Sequence, residues 1–238
     1  MTRDVRGGGA FVEVSLRSRL AQGARTVERD LRNIGTKITA IGGGITAGLA
    51  GTLTFPVSLA SQAEETASKF NVVFGSMTDE MREFSRSQSQ LLGVSNTTFE
   101  GMLSGLQDLL VPMGGAADES AGMSKALSSL AVDLGSFNNM RTSDVMRDLQ
   151  AALTGSSETM KKYGVIVSAA AVNQELLNRG LDPKNVTEFQ KAQARFAIIM
   201  RGTTAAQGDA VRTQDSFANS TKRLTASTRD LAEAIGGV

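Results

Sequence analysis

The sequence of 238 residues contains no cysteine and no histidine. Without cysteine the chain cannot form disulfides, thiolate zinc sites or a cysteine nucleophile. Without histidine it lacks the side chain that most often serves as a general base and as a metal ligand. The sequence therefore predicts a protein that is not an enzyme and that has no metal site and no cofactor.

Aromatic residues are also scarce. There is no tryptophan, Tyr163 is the single tyrosine, and aromatic residues make up 5% of the chain. Buried aromatic side chains normally contribute much of the apolar area of a core, roughly 150–250 Å² each. A chain with few of them must rely on Leu, Ile, Val and Met and on close packing of small residues. This composition favours helices stabilised by their neighbours.

Neither sign of charge is in excess, because 25 basic residues are matched by 24 acidic ones. The balance gives no signal for a polyanionic partner. Residues 1–37 are locally basic, but acids alternate with the arginines, which favours a solvated helix face over a nucleic-acid patch. The first residues lack the apolar segment of a signal peptide, so we expect the protein to be made in the cytoplasm and to begin life there.

A heptad seam follows a weak strand signal at residues 10–16. The apolar positions are spaced alternately by four and three residues, which is typical of a coiled coil. A self-associating coiled coil and an amphipathic helix packed on a core explain the spacing equally well. The predicted oligomerisation seam consists of Leu20, Ala24, Val27, Leu31, Ile34, Ile38, Ile41 and Ile45.

The seam runs into residues 38–63, which are 26 consecutive residues without a charged side chain. Three interpretations compete: a membrane span, a phosphate-binding glycine loop, and a flexible apolar joint in a helical assembly. The segment exceeds the roughly 20 residues of a span, and Gly44 and Gly48 have the spacing that lets helices approach closely. Together with Gly51 they are the candidate membrane or close-packing positions. Five glycines and a proline make the segment only mildly apolar, so insertion is expected only when several copies act together.

Residues 42–47 also fit the G-x-G-x-x-A variant of the dinucleotide fingerprint, and Glu64 and Glu65 follow about 20 residues later. That fingerprint requires a strand before the glycines and an acid at the end of a second strand. Here a heptad pattern precedes the glycines, and both glutamates fall in an amphipathic helical pattern. Nucleotide binding is therefore the least favoured of the three interpretations.

From Pro56 onward the pattern predicts short helices separated by glycine and proline. Thr187–Gln190 has the sequence of a capping box, and Tyr163–Val167 is a second candidate strand. A second heptad seam follows near the end of the sequence: Phe217, Thr221, Leu224, Thr228, Leu231 and Ile235. The predicted fold is all-α, an elongated helical assembly with heptad segments at both ends and a cluster of short helices between them.

The sequence pattern predicts three parts of the chain: the basic N-terminal residues 1–37, the uncharged segment 38–63, and the region of residues 64–238. Because the second seam stops in mid-pattern, we expect the chain to be truncated at its C-terminus.

A series of sequence blocks in residues 60–238 resembles the core region of phage tail tape measure proteins. The blocks occur in order and at family-like distances, so the resemblance depends on all of them together and on no single block. They are EETASKFNVVFG (64–75), LQDLLVPMG (106–114), MSKALSSLAVDLGSFNN (123–139), DVMRDLQAALTGSSETMKKYGV (144–165), AAAVNQELLNRG (169–180) and GDAVRTQDSFANSTKRLTASTRDLAEAIG (208–236).

The resemblance implies a structural protein of tailed phages or prophages. Such proteins assemble as a multi-chain helical bundle, with tail assembly chaperones, while the tail-tube protein polymerises around them. They lie in the tail lumen, their length sets the tail length, and they leave the tube on infection to help DNA cross the cell envelope. Contact with DNA is only indirect. Members of the family continue into a long C-terminal part, so we expect a ruler role to need more than this stretch alone.

The alternative to this resemblance is a membrane-active pore-forming or translocation protein that acts through residues 38–63. In either case the host membrane is a candidate partner during DNA entry or pore formation.

Overall fold

A computed structural model of the chain describes residues 54–215 and 217–236. Within these residues the protein is all-helical, with nine α-helices, two short 3-10 helices and no strand. The helices are α1 (Thr54–Phe74), α2 (Thr78–Leu92), α3 (Asn96–Leu110), α4 (Ala117–Phe137), α5 (Thr142–Leu153), α6 (Ala169–Asn178), α7 (Glu188–Gly202), α8 (Asp209–Arg212) and α9 (Phe217–Gly236). The all-α prediction is confirmed. The elongation and the heptad pairing remain predictions.

Helix α1 joins the uncharged segment to the charged part of the chain, since it runs without a break across residues 63 and 64. Pro56 lies in its first turn, where the missing N–H costs no helical hydrogen bond. Phe70 and Phe74 are buried with ring centroids 4.6 Å apart. Lys69 forms an ion pair with Asp108 of α3 at 2.6 Å.

Local sequence signals set several helix ends. The hydroxyl of Ser95 accepts the N–H of Thr98 at the start of α3. Thr187 and Gln190 form the predicted capping box at the start of α7, with both hydrogen bonds present. Gly93 ends α2 in the left-handed region at φ +70°, which a residue with a Cβ atom rarely adopts. These signals hold the helices to the short lengths that the sequence predicts.

Helix α4 lies at the centre of the core and packs mainly against α3 and α5. Leu127 and its apolar neighbours are buried on one side. Ser120, Ser124 and Ser128, spaced four residues apart, are fully buried on another. The hydroxyl of Ser124 donates to the carbonyl of Ser120 at 2.8 Å, which satisfies it within the helix. Small buried side chains let helices approach closely, and so the core forms with few aromatic rings.

The predicted strand at Tyr163–Val167 is wrong. Tyr163 ends a 3-10 helix (Glu158–Tyr163), and Gly164 then turns the chain in the left-handed region. Val165 and Val167 are buried, whereas Ile166 between them is 68% exposed. These residues form an irregular segment in which Val165 packs against Gly202 of α7. No neighbouring strand pairs with it among the described residues.

Candidate helix-pairing surface

Helix α9 is attached to the rest of the described protein through its polar side. An amphipathic helix normally buries its apolar face. In α9, among residues 219–234, whose side chains the structure describes, only Asn219 is buried. Its amide nitrogen donates to the hydroxyls of Ser136 at 3.0 Å and Thr213 at 2.7 Å. The attachment of this helix therefore depends on hydrogen bonds and charges more than on apolar burial.

One of these contacts is made at the C-terminal end of α2. The Nη2 atom of Arg223 donates to the carbonyl oxygen of Leu91 at 2.6 Å and to Gln214 at 3.2 Å. The carbonyl of Leu91 belongs to the last turn of α2, where carbonyl groups have no helical partner. The side chain of Arg223 passes directly over Gly93, because a Cβ atom added there would lie 2.3 Å from Cγ and 2.9 Å from Nε of Arg223.

A second pair of contacts is made at the N-terminal end of α3. The backbone N–H of Asn96, the first residue of α3, donates to Oδ1 of Asp230 at 3.2 Å. The hydroxyl of Thr97 donates to a carboxylate oxygen of Glu233. Burial raises the pKa of Asp230, although the N–H of Asn96 acts in the opposite direction. Docking thus removes part of the hydration of this carboxylate, which offsets some of what the contact gains.

These contacts match the electrostatics of the two helix ends. A helix carries partial negative charge at its C-terminus and partial positive charge at its N-terminus. Arg223 lies at the C-terminus of α2, and Asp230, seven residues later on the same side of α9, lies at the N-terminus of α3. We call Asn219, Arg223, Asp230 and Glu233 the docking face. Within this face, Arg223 and Asp230 bind backbone groups at the end of α2 and at the start of α3. We call the place where these two helix ends meet the α2–α3 corner.

The opposite side of α9 carries the second heptad seam. At about 100° per residue, its positions are centred about 160° around the helix from the docking face. Leu224 is 44% exposed and Leu231 is 59% exposed. Thr228 lies between them and is exposed, and Thr221, three residues before Leu224, is exposed at the edge of a groove beside α9. We call these four residues the outer seam. The side chains of Phe217 and Ile235, the two ends of the predicted seam, fall outside the described part.

The hydroxyl of Thr228 is already satisfied within the helix, since it donates to the carbonyl of Leu224 one turn earlier. A threonine whose hydroxyl is bonded in this way can enter an apolar contact without leaving an unpaired donor. The outer seam is therefore chemically suited to burial against a second helix. That suitability makes it the candidate helix-pairing surface of the described residues.

A groove of about 460 Å³ lies beneath α9. It is bounded by α9, by the turn between α2 and α3 and by the turn between α4 and α5. Val94 and Met140 line it from the body of the protein, and Ala226 lines it from α9. The groove shows that α9 does not pack closely along its length, in keeping with attachment at its polar contact points.

Other charged side chains in the described part hold helices and turns together. Both carboxylate oxygens of Glu175 in α6 are bound, one by Arg201 at 2.7 Å and one by Arg179 at 3.0 Å. The hydrogen bond from Arg201, followed by the one from Arg179, keeps the pKa of Glu175 below its usual value even though burial opposes them. This carboxylate is fully engaged in joining α6 to α7, and so it is not a free acid or base.

Asp133 is the buried carboxylate of α4. Its two oxygens accept the backbone N–H groups of Gly208, at 2.7 Å, and of Ala210, at 3.1 Å. Burial raises its pKa, and the two backbone hydrogen bonds counteract part of that effect. Asp133 therefore fixes the turn that leads into α8.

Tyr163 donates its hydroxyl to Asp148 at 2.6 Å, and Lys162 pairs with the same carboxylate. Burial, followed by the hydrogen bond to Asp148, raises the pKa of Tyr163 well above its usual value. Within residues 54–215 and 217–236, no group of acidic side chains is arranged to hold a metal ion.

The site residues predicted for the N-terminal part fall outside the described residues. This applies to the whole first seam, Leu20, Ala24, Val27, Leu31, Ile34, Ile38, Ile41 and Ile45, and to Gly44, Gly48 and Gly51. The weak strand signal at residues 10–16 also falls there. Glu64 and Glu65, which were considered for a nucleotide site, lie on the exposed side of α1. The membrane and oligomerisation roles of residues 1–53 thus stay predictions.

Comparison with known proteins gives no further assignment: no protein-family model, no curated protein and no solved structure matches the chain. The docking face is the part of the site that sequence reasoning missed. Its one signal is the spacing of seven residues between Arg223 and Asp230, which places opposite charges on one side of a helix. That spacing alone does not distinguish a docked side from a solvated one.

Proposed function

We propose that this chain is a non-catalytic structural protein of a tailed phage or prophage, the core part of a tail tape measure protein. The observation that carries the proposal is the outer seam of α9, an apolar heptad face turned away from the helices to which α9 is attached. The ordered series of family-like sequence blocks supports it from an independent direction. In this role the chain acts by assembling with partners.

The proposed partners are further copies of the chain, the tail-tube protein and the tail assembly chaperones. Copies pair through the second seam, Phe217–Ile235, and through the first seam, Leu20–Ile45. The proposed location is the lumen of the virion tail, after synthesis in the host cytoplasm. DNA is contacted only indirectly, when the protein leaves the tube during infection.

Purified tails of the phage or prophage that encodes the chain test this proposal. Quantitative mass spectrometry is expected to find the chain in intact particles, in a fixed ratio to the tail-tube protein. It is expected to be depleted from particles that have ejected their DNA. A chain that is abundant in infected cells and absent from intact tails contradicts the proposal.

A membrane-active pore-forming or translocation protein is the second candidate, favoured by the 26 uncharged residues of segment 38–63. No helix among the described residues is both long enough and apolar enough to cross a membrane, so this activity would belong to the N-terminal part. Dye release from liposomes tests it. We expect Gly48→Arg to stop release because it introduces a charge into the segment. Equal release by the variant and the parent chain assigns the activity elsewhere.

A further inference from the structure

Among the side chains that the structure describes, helix α9 meets the body of the protein through polar contacts near the protein surface. Arg223 binds the last turn of α2, Asp230 and Glu233 bind the first turn of α3, and Asn219 binds the end of α4 and the turn after α8. No apolar side chain in residues 219–234 is buried. Over residues 219–234, therefore, no buried apolar contact helps to make the docking of α9 insensitive to salt.

The charged contacts at the two helix ends are sensitive to ionic strength. Attraction between a side-chain charge and a helix end is screened by salt and acts only over the first or last turn. The screening length falls from about 10 Å at 0.1 M salt to about 3 Å at 1 M. Arg223 and Asp230 supply charges of opposite sign to adjacent helix ends, so a rise in salt weakens both contacts together.

Helix α9 also carries features that stabilise it when it is detached. Its 20 residues exceed the length below which isolated helices are marginal, about 12–15 residues. Arg229 and Glu233 form an ion pair within the helix at 2.7 Å, and pairs four residues apart support isolated helices. Its length and this ion pair favour helical structure in the detached state.

We propose that α9 is a releasable strap that exchanges between a state docked on the α2–α3 corner and a detached helical state, with the balance set by ionic strength. In the docked state the outer seam has a fixed direction relative to the other helices. In the detached state the same seam moves on a tether and reaches partners that the docked position does not allow. The inference concerns only how α9 is attached, and it does not depend on the proposed role in phage tails.

The absence of native cysteine makes a direct distance measurement possible in the full chain. Gln90 of α2 and Ser227 of α9 line one small cavity between these two helices. Spin labels are attached to Gln90→Cys and Ser227→Cys, and the distance between them is measured by pulsed electron paramagnetic resonance. We expect one short distance at about 50 mM NaCl. At about 1 M NaCl, where screening is strong, we expect long and broadly distributed distances to appear.

Substitution of the docking charges tests the same proposal without added salt. Arg223→Gln together with Asp230→Asn is expected to lower the ratio of docked to detached molecules roughly tenfold, because both helix-end contacts lose their charge. Lys222→Gln is the matched control, since it removes an exposed charge from the same turn of α9. The control is expected to keep the short distance at low salt, and circular dichroism is expected to show equal helix content in all three chains.

A short distance that persists both at high salt and in the double variant overturns the proposal, because it shows that α9 is held by something other than these charges. A single sharp new distance also overturns it, since α9 would then have a second fixed position. If the double variant fails to fold, the salt titration of the labelled parent chain decides alone.

Discussion

Replacing Leu224 and Leu231 with aspartate tests whether the outer seam of α9 joins copies of the chain. The two leucines lie seven residues apart on the exposed side of the helix, at 44% and 59% exposure. The polar contacts that attach α9 to α2 and α3 lie on the other side. The double substitution therefore leaves the docking of α9 intact and removes only the apolar face offered to a partner.

The expected effect follows from the area that remains exposed. Complete burial of a leucine side chain is worth about 1.5–3 kcal/mol, so covering the exposed half of each leucine contributes about 1 kcal/mol. A pair of seams buries four such leucines and gains about 4 kcal/mol, which corresponds to roughly a thousandfold in the dissociation constant. Aspartate also has to lose hydration on burial, which adds to the loss.

Sedimentation equilibrium at several concentrations measures this change. Leu177→Asp is the matched control, because Leu177 is 55% exposed on α6, outside the seam, and we expect it to leave association unchanged. The measurement is repeated with Leu31→Asp and Ile38→Asp, which remove the first predicted seam, so that the two seams are separated. Unchanged association of the Leu224 and Leu231 variant in both backgrounds would refute the reasoning.

Three further predictions concern the stability of the described helices. Asp133→Asn leaves one of the two N–H groups that Asp133 binds without an acceptor, so we expect urea unfolding to show a free energy of unfolding lower by about 1–3 kcal/mol. The control Asp108→Asn, which breaks an exposed ion pair, should lower it by less than about 1 kcal/mol. An equal loss in both variants would contradict this role of Asp133. Because the pKa of Glu175 is lowered in the folded protein, its ionised carboxylate stabilises the fold at pH values above the ordinary pKa of 4.5, and this stabilisation is lost as the pH falls through the pKa of the folded state. The urea midpoint of Glu175→Gln should therefore fall less on acidification than that of the parent chain. Parallel pH profiles of the two midpoints would disprove this contribution of Glu175. Gly93→Ala and Gly180→Ala place a Cβ atom at φ +70° and +75°, which costs about 1–2 kcal/mol of stability in each case. Only the Cβ atom at residue 93 also displaces the side chain of Arg223, so only Gly93→Ala should bring α9 into the detached state. Identical distances between the spin labels at residues 90 and 227 in the two variants would count against this prediction.

The sequence was a good guide to the helical character of the described residues. The short helices predicted from Pro56 onward are present, and so is the capping box predicted at Thr187. These features depend on neighbours within a few residues, which a sequence pattern records directly. The strand predicted at Tyr163–Val167 failed because a short apolar run shows only which side chains can be buried. Whether the covering element is a strand or a helix is decided by distant parts of the chain.

Helix α9 shows why the candidate site was only half predictable. The spacing of Leu224 and Leu231 identified an apolar seam, and a seam on a helix near a core normally faces that core. Here the core-facing side belongs instead to Arg223 and Asp230, whose contacts are a carbonyl group and a backbone N–H group. Backbone groups of this kind exist at every helix end and leave no trace in the side-chain pattern. Charges that meet helix ends therefore look like solvated charges in a sequence, and only the placement of the α2–α3 corner distinguishes them. The same placement leaves the seam available, which is why the apolar side of α9 is the side we expect a partner to cover.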